Sequence, residues 1–93
     1  MDFEELLVGT IVSVDEHPGA RAPSLLLTVD LGSRGTQEAV LSSGAYERAE
    51  LEGRQILCGR EADGLVVVGA HSHGAGLVLL RPEREVEPGT LVD

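Results

Sequence analysis

The sequence predicts an all-β fold, a small Greek-key barrel with one short helix between its third and fourth strands. Short apolar runs with two-residue alternation recur along the chain, and glycine-containing turns separate them. One helix-compatible run, 44–51, interrupts this series of strands. With 42% apolar and 25% charged residues, the chain has a globular composition, and we expect residues 1–93 to form one domain.

The first elements are predicted to be a helical turn followed by a long strand. Asp2–Glu5 has a capping pattern, and the turn places Phe3 as an apolar contact on the barrel or on a partner. Leu6–Glu16 follows as the first strand, and Gly9 marks a sharp bend or a close backbone approach. The apolar residues predicted to share one face of this strand are Leu6, Val8, Val12 and Val14.

The second and third strands are predicted to form a hairpin. The His17–Pro23 loop precedes a strand at Ser24–Leu31, Gly32–Gly35 supplies the connection, and Thr36–Ser42 forms the third strand. Alternation places one set of apolar side chains together on the second strand, namely Leu25, Leu27, Val29 and Leu31.

A helix and three further strands complete the prediction. The helix spans Gly44–Leu51, with Ser43 as its N-cap. The remaining strands are Arg54–Glu61, Leu65–Ala70 and Leu77–Leu80. One small helix between the third and fourth of many short strands is typical of an OB-type barrel.

An ordered series of motifs runs through most of the chain. It begins with V-G-T-I-V at Val8–Val12, continues through H-P-G-A at His17–Ala20 and L-T-V-D-L-G at Leu27–Gly32, and reaches L-E-G-R-Q at Leu51–Gln55. Ala20–Leu25, Leu41–Ser43, Leu77–Pro82 and Val86–Leu91 add further matches. This series resembles the tRNA-binding-domain family with its OB-fold, and most closely the CsaA-like, export-related chaperone branch.

The resemblance implies a homodimeric, non-catalytic module that binds tRNA or another structured RNA. The CsaA-like branch implies an alternative, chaperone-like binding of extended or unfolded polypeptide on the same face. The chain departs from the family between the fourth and fifth strands, where Ala62–Leu65 replaces a longer, Ser-Glu-bearing ligand loop. A third interpretation is therefore a remnant whose partner is a second copy or another protein.

Several residues are candidates for contacting RNA or peptide, and each has a structural alternative. Arg21 can bind a phosphate or a carboxylate, or it can pair with a nearby acid. Ser42 and Ser43 can donate hydrogen bonds to a base edge, although capping is the favoured role for Ser43. Tyr46 can stack on a base, or it can pack on the barrel.

Two further arginines and one acid complete the candidate set. Arg54 and Arg60 are expected to share one strand face and form a basic patch with Arg21, or alternatively to pair with neighbouring Glu residues. Asp63 lies in the shortened segment that replaces the family's ligand loop.

Net charge limits the function classes. Sixteen acids against seven arginines give −9, which repels phosphate backbones at long range and favours a polypeptide ligand. We expect the protein to have no enzymatic activity, no cofactor and no metal site. Cys58 is interpreted as a small hydrophobic residue, and His71 and His73 are interpreted as residues of an exposed turn. The acidic start without a signal-peptide pattern predicts a cytoplasmic protein.

Apolar residues on both faces of two strands predict self-association. Leu25–Leu27 and Leu65–Val68 carry more apolar surface than one small barrel can cover, so a dimer interface is expected there.

Overall fold

A computed structural model describes residues 3–17, 24–42 and 46–93. Within these ranges, the chain forms seven strands, one α-helix and a 3₁₀ helix at Gly32–Arg34. The strands are β1 (Glu5–Glu16), β2 (Leu25–Asp30), β3 (Thr36–Leu41), β4 (Gln55–Glu61), β5 (Gly64–Val67), β6 (Gly69–Ser72) and β7 (Gly76–Leu79). The helix α1 spans Arg48–Leu51.

The first five strands form an antiparallel sheet in the order β3-β2-β1-β4-β5, and it curls into a nearly closed barrel. The central strand β1 pairs with two neighbours in succession. Its first half pairs with β4, from Glu5–Arg60 to Thr10–Gln55, and its second half pairs with β2. The predicted all-β, OB-type fold is confirmed.

The predicted apolar face of β1 is wrong, because the strand contains a β-bulge. Leu7 and Ile11 are fully buried before the bulge, and Val14 is buried after it. The register shifts between Ile11 and Ser13, which changes the phase of alternation. Val12, which was predicted to lie on the same face as Val14, is 51% exposed. Strict alternation holds only while the pairing register is unbroken.

The predicted helical turn at Asp2–Glu5 is also wrong in its described part, because Glu5 is already the first residue of β1. Asp2 lies outside the described residues. The main-chain nitrogen of Glu4 donates to the carbonyl oxygen of Arg60, which extends the pairing with β4. One helical turn buries little surface, so sheet pairing prevails over the capping pattern.

The hydrophobic core lies inside the barrel. The predicted inward face of the second strand is confirmed for Leu27, Val29 and Leu31, which are fully buried, whereas Leu25 is partly buried at the margin. Further buried members of the core are Leu7, Ile11, Val14, Ala39, Leu41, Leu51, Ile56, Cys58 and Leu65.

The helix is shorter than predicted, and Glu47 rather than Ser43 is its N-cap. The main-chain nitrogen of Glu47 donates to a carboxylate oxygen of Glu50, in a capping box that starts α1 at Arg48. Tyr46 precedes the helix. The predicted positions Ser43, Gly44 and Ala45 lie outside the described residues.

The predicted strand Leu65–Ala70 is divided into β5 and β6 at Val68. Leu57 on β4 accepts a hydrogen bond from the Val68 nitrogen, and its own nitrogen donates to the Leu80 oxygen. The chain between Val68 and Leu80 forms a separate β6–β7 hairpin. The predicted last strand, Leu77–Leu80, is confirmed as β7 with its bounds shifted by one residue, and it pairs with β6.

The C-terminal segment forms a strap along the first half of β1. Gly89 donates to the carbonyl oxygen of Val8, Val8 donates to Thr90, and Val92 donates to Leu6. Gly89 has a φ angle of +89°, which favours glycine. A Cβ atom at this position would also overlap the carbonyl oxygen of Leu31. The strap thus occupies the edge of β1 that β2 leaves free.

Candidate nucleic-acid interface

Two of the predicted site residues, Arg21 and Ser43, lie outside the described residues. Of the others, Ser42 is exposed immediately after β3, and Asp63 is exposed in the two-residue turn between β4 and β5. Arg54 immediately precedes β4, and Arg60 is near its end.

A cluster of one carboxylate and two guanidinium groups lies where β1 begins. Arg34 contacts Glu5 through both of its terminal nitrogens, and its Nη2 is 3.0 Å from Oε2. Arg60 approaches from the paired position on β4, with its Nε 2.9 Å from Oε1 of Glu5. We call Glu5, Arg34 and Arg60 the arginine cluster.

The arginine cluster carries two positive charges and one negative charge at an accessible position. The side chains of Arg34 and Arg60 are each 37% exposed, and that of Glu5 is 22% exposed. Hydrogen bonds from Arg34 and then from Arg60 hold the pKa of the Glu5 carboxyl below its ordinary value. Glu5 is therefore ionised at neutral pH, and the cluster has a net charge of +1.

Arg60 was predicted from the sequence, and its alternative role as an ion-pair partner is the one that the structure shows. Glu5 and Arg34 were not predicted as site residues. These two are 29 residues apart, and Glu5 and Arg60 are 55 residues apart. No local spacing could have brought them together; only the pairing of β1 with β4 and the position of the β2–β3 turn do so.

Arg54 lines a different feature from Arg60. A groove of about 470 Å³ runs between α1, the start of β4 and the segment before the C-terminal strap. Arg54 and Arg81 lie in its wall among four acids, Glu50, Glu52, Glu83 and Glu85. Arg54 precedes Arg60 by six positions along extended chain, a distance of roughly 20 Å, so the two do not form one patch.

Ser42 and Arg60 lie at opposite ends of β1. Ser42 follows Leu41, which pairs with Leu25, and Leu25 in turn pairs with Glu16 at the end of β1. Arg60 pairs with Glu5 at the beginning of β1. A ligand that contacts both residues must therefore extend along the barrel.

Tyr46 is held by the barrel through both its ring and its hydroxyl group. The ring is partly buried against the hydrophobic core, and the hydroxyl oxygen accepts a hydrogen bond of 3.0 Å from the Leu79 nitrogen. This contact attaches the β6–β7 hairpin to the segment before α1. It matches the alternative in which Tyr46 packs on the barrel.

The other aromatic residue, Phe3, lies over Gly59. A Cβ atom at Gly59 would overlap the Phe3 ring, so the absence of a side chain permits this contact. Of the two predicted alternatives for Phe3, a contact on the barrel or on a partner, the structure shows the contact on the barrel. Both aromatic side chains of the protein thus have packing roles in the structure.

Cys58 and the two histidines near the β6–β7 turn occupy ordinary environments. Cys58 is fully buried, and burial raises the pKa of its thiol to about 12, as expected for a small core residue. His71 and His73 are both exposed, but the prediction that both lie in a turn is wrong for His71, which belongs to β6; His73 lies in the turn that follows. The described ranges contain no group of three His, Cys, Asp or Glu side chains arranged to hold a metal ion. Among the described residues, no helix has the length and apolar character needed to cross a membrane.

Comparison with known proteins identifies relatives in sequence and in structure. No protein-family model matches the chain. Methionine–tRNA ligase from Methanococcoides burtonii is 34% identical over 104 residues, which include 98% of this chain. The chain spans only 15% of the length of that ligase.

Solved structures of CsaA share the fold over almost the full chain. The chaperone CsaA from Bacillus anthracis has a TM-score of 0.83 at 26% identity, with coverage of 96% of this chain and 90% of that one. The CsaA chaperone protein from Picrophilus torridus gives 0.85 at 25% identity, with coverage of 96% and 91%. A MetRS-related protein from Pyrococcus horikoshii gives 0.72 at 17% identity, with coverage of 95% and 88%, which shows a shared fold.

Proposed function

We propose that the chain is a non-catalytic RNA-binding module, because it is similar in sequence to a tRNA ligase and in structure to the CsaA chaperones, as its resemblance to the tRNA-binding-domain family implies. Its ligand is tRNA or another structured RNA, which it contacts through phosphate groups and shape. The observation that carries this proposal is the arginine cluster, an accessible positive group in a protein with a net charge of −9. The sequence identity with a tRNA ligase supports it.

The proposed mode of binding uses little base stacking. Single-strand binders of the OB type rely on aromatic platforms, each worth about 1–3 kcal/mol per stacked base. Here the Tyr46 hydroxyl is bound to Leu79, and Phe3 covers Gly59. Arg60, which lies on β4 beside the beginning of β1, would bind the backbone of a folded RNA. Ser42 and Arg21 are further proposed contacts. Affinity should therefore depend strongly on salt.

A second candidate function is chaperone-like binding of extended polypeptide. Acidic charge favours it, because the net charge of −9 repels RNA and attracts basic segments. The groove beside Arg54 and Arg81, with its four glutamates, contributes to this negative surface. Two of the structural relatives are described as chaperones.

We also propose that the protein is a cytoplasmic, single-domain homodimer. Val40 on β3 pairs with Leu26 on β2 and is 42% exposed, and Val66 on β5 is 38% exposed. Val66 lies on β5, one of the two strands whose two-sided character predicted self-association, and Val40 lies on β3, beside the other of these strands, β2. Sedimentation at micromolar concentration is expected to give a dimer; a monomer would contradict this part of the proposal.

Titration with tRNA at low and moderate salt tests RNA binding. We expect binding at 50 mM salt that weakens markedly at 200 mM, and a loss of affinity in Arg60→Ala. Arg84→Ala is the charge-matched control, because Arg84 is exposed and has no ion pair among the described residues. Absence of tRNA binding by the wild-type protein at low salt would refute the proposal.

An unfolded basic polypeptide, titrated under the same conditions, tests the second candidate. Binding of polypeptide without tRNA binding would favour the chaperone-like function. Binding of neither ligand would leave the third interpretation, a module whose partner is a second copy or another folded protein.

A further inference from the structure

The arginine cluster has an unusual division of its hydrogen bonds. Arg34 uses both terminal nitrogens on Glu5, in the two-point geometry with which arginine binds carboxylates and phosphates. Arg60 uses only Nε. The two terminal nitrogens of Arg60 have no hydrogen-bond partner in the part of the chain that the structure describes. One carboxylate thus receives hydrogen bonds from two arginines and leaves further donors free beside it.

We propose that Arg34 and Arg60 form a phosphate-binding site whose position is occupied by the Glu5 carboxylate in the free protein. A phosphate group presents more acceptor oxygens than a carboxylate, so it can accept from Arg34 and also from the free nitrogens of Arg60. Where the phosphate belongs to an RNA backbone, the inference rests on the proposed function; binding of free inorganic phosphate does not depend on it.

Exchange of Glu5 for a phosphate needs little rearrangement. Glu5 is the first residue of β1, and its side chain is already 22% exposed, so it can turn toward solvent while its main chain stays paired. The strand pairing of Glu5 with Arg60 and the Glu4–Arg60 hydrogen bond involve main-chain atoms only. Both arginine side chains are more exposed than that of Glu5, which gives a ligand access to their donors.

Glu5 therefore sets the affinity of the site. As an ionised side chain in contact with both guanidinium groups, it competes directly with an incoming phosphate at neutral pH. Removing the negative charge of Glu5 should raise the affinity for phosphate at least about fivefold. This factor corresponds to the repulsion between two unit charges about 4 Å apart in bulk water.

Inorganic phosphate is the probe for a test by nuclear magnetic resonance. Sodium phosphate is titrated into the full chain at pH 7 and constant ionic strength, and the Nε–H signal of Arg60 is followed. Glu5→Gln is expected to bind phosphate at least about fivefold more tightly than Glu4→Gln. Glu4→Gln removes the same charge one residue away, from a carboxylate with no ion pair among the described residues.

Two further variants keep the result interpretable. Arg34→Ala combined with Arg60→Ala, in the Glu5→Gln background, should abolish the enhanced binding, whereas Arg48→Ala combined with Arg84→Ala should retain it. If the glutamine disturbs folding, Glu5→Ala against Glu4→Ala gives the same comparison. Equal phosphate affinity in the Glu5 and Glu4 variants would overturn the proposal.

Titration of the same variants with tRNA identifies the source of the phosphate. Tighter tRNA binding by Glu5→Gln than by Glu4→Gln places an RNA phosphate in the site. Tighter phosphate binding without any tRNA binding supports a site for free phosphate, and in that case the proposed function fails while the site remains.

Discussion

The side-chain amide of Gln55 and the main chain of Val86 form two hydrogen bonds with each other. Nε2 of Gln55 donates to the Val86 carbonyl oxygen at 2.7 Å, and the Val86 nitrogen donates to Oε1 at 3.0 Å. Nε2 also donates to the hydroxyl oxygen of Thr10 at 3.1 Å. Gln55, the first residue of β4, thus holds the segment that leads into the C-terminal strap. This gives the glutamine of the L-E-G-R-Q motif a structural role.

Replacing Gln55 with Leu should loosen the C-terminal strap. All three side-chain hydrogen bonds are lost, while the side-chain volume changes little, so we expect a destabilisation of about 1–3 kcal/mol. Urea denaturation measures this change, and hydrogen exchange should show faster exchange at the Gly89 and Val92 amides. Gln37→Leu, on β3, is the control. If the hydrogen-exchange rates of these amides stay unchanged, the pairing of the strap with β1 suffices to hold the strap in place.

Removing the hydroxyl group of Tyr46 should affect stability but not RNA binding. Tyr46→Phe leaves the Leu79 nitrogen without its acceptor, which should cost about 0.5–1.5 kcal/mol. If the ring packs on the barrel and does not stack on a base, tRNA affinity remains that of the wild-type protein. A variant with unchanged stability and weakened tRNA binding would instead place the hydroxyl in the ligand interface.

Adding a methyl group at Gly59 should displace the Phe3 ring. Gly59→Ala is expected to destabilise the protein by about 1–3 kcal/mol, because the new Cβ overlaps the ring. In a Phe3→Ala background, the same substitution should cost less, since the ring is gone. Gly74→Ala serves as the control, because its added Cβ would meet nothing within 4 Å. Equal costs of Gly59→Ala in both backgrounds would contradict this packing.

Glu5 should contribute to stability in a pH-dependent way. Its pKa in the folded protein is lowered by Arg34 and Arg60, so its contribution is complete above its unfolded pKa, near 4.3. As the pH falls through the lower pKa of the folded state, the contribution is lost. The difference in unfolding free energy between wild type and Glu5→Gln should therefore be larger at pH 7 than at pH 2.5. Glu4→Gln is the charge-matched comparison, and a difference independent of pH would contradict the assignment.

Most strands could be predicted from the sequence because their signals are local. Alternation at Leu27, Val29 and Leu31 identifies the inward face of β2, and the glycines at 32 and 35 have the positive φ angles that their turn requires. Cys58 could be assigned to the core from its apolar surroundings. The ordered motifs carried the resemblance to CsaA-like proteins.

Other features depend on contacts between distant segments. The bulge that turns Val12 outward, and the break at Val68 that separates β6 from β5, have no local signal because neighbouring strands impose them. The helix starts at Arg48 because Glu47 and Glu50 form its capping box, whereas the sequence predicted Ser43 as the N-cap.

The sequence by itself thus determined the fold class, the inward face of β2 and the relatives of this protein, since alternation and turn residues act over a few positions. Only the tertiary structure decided which charges meet. Glu5, Arg34 and Arg60 come from three separate places in the chain, and strand pairing brings them together. An electrostatic site of this kind depends on distances in space, which residue spacing does not encode.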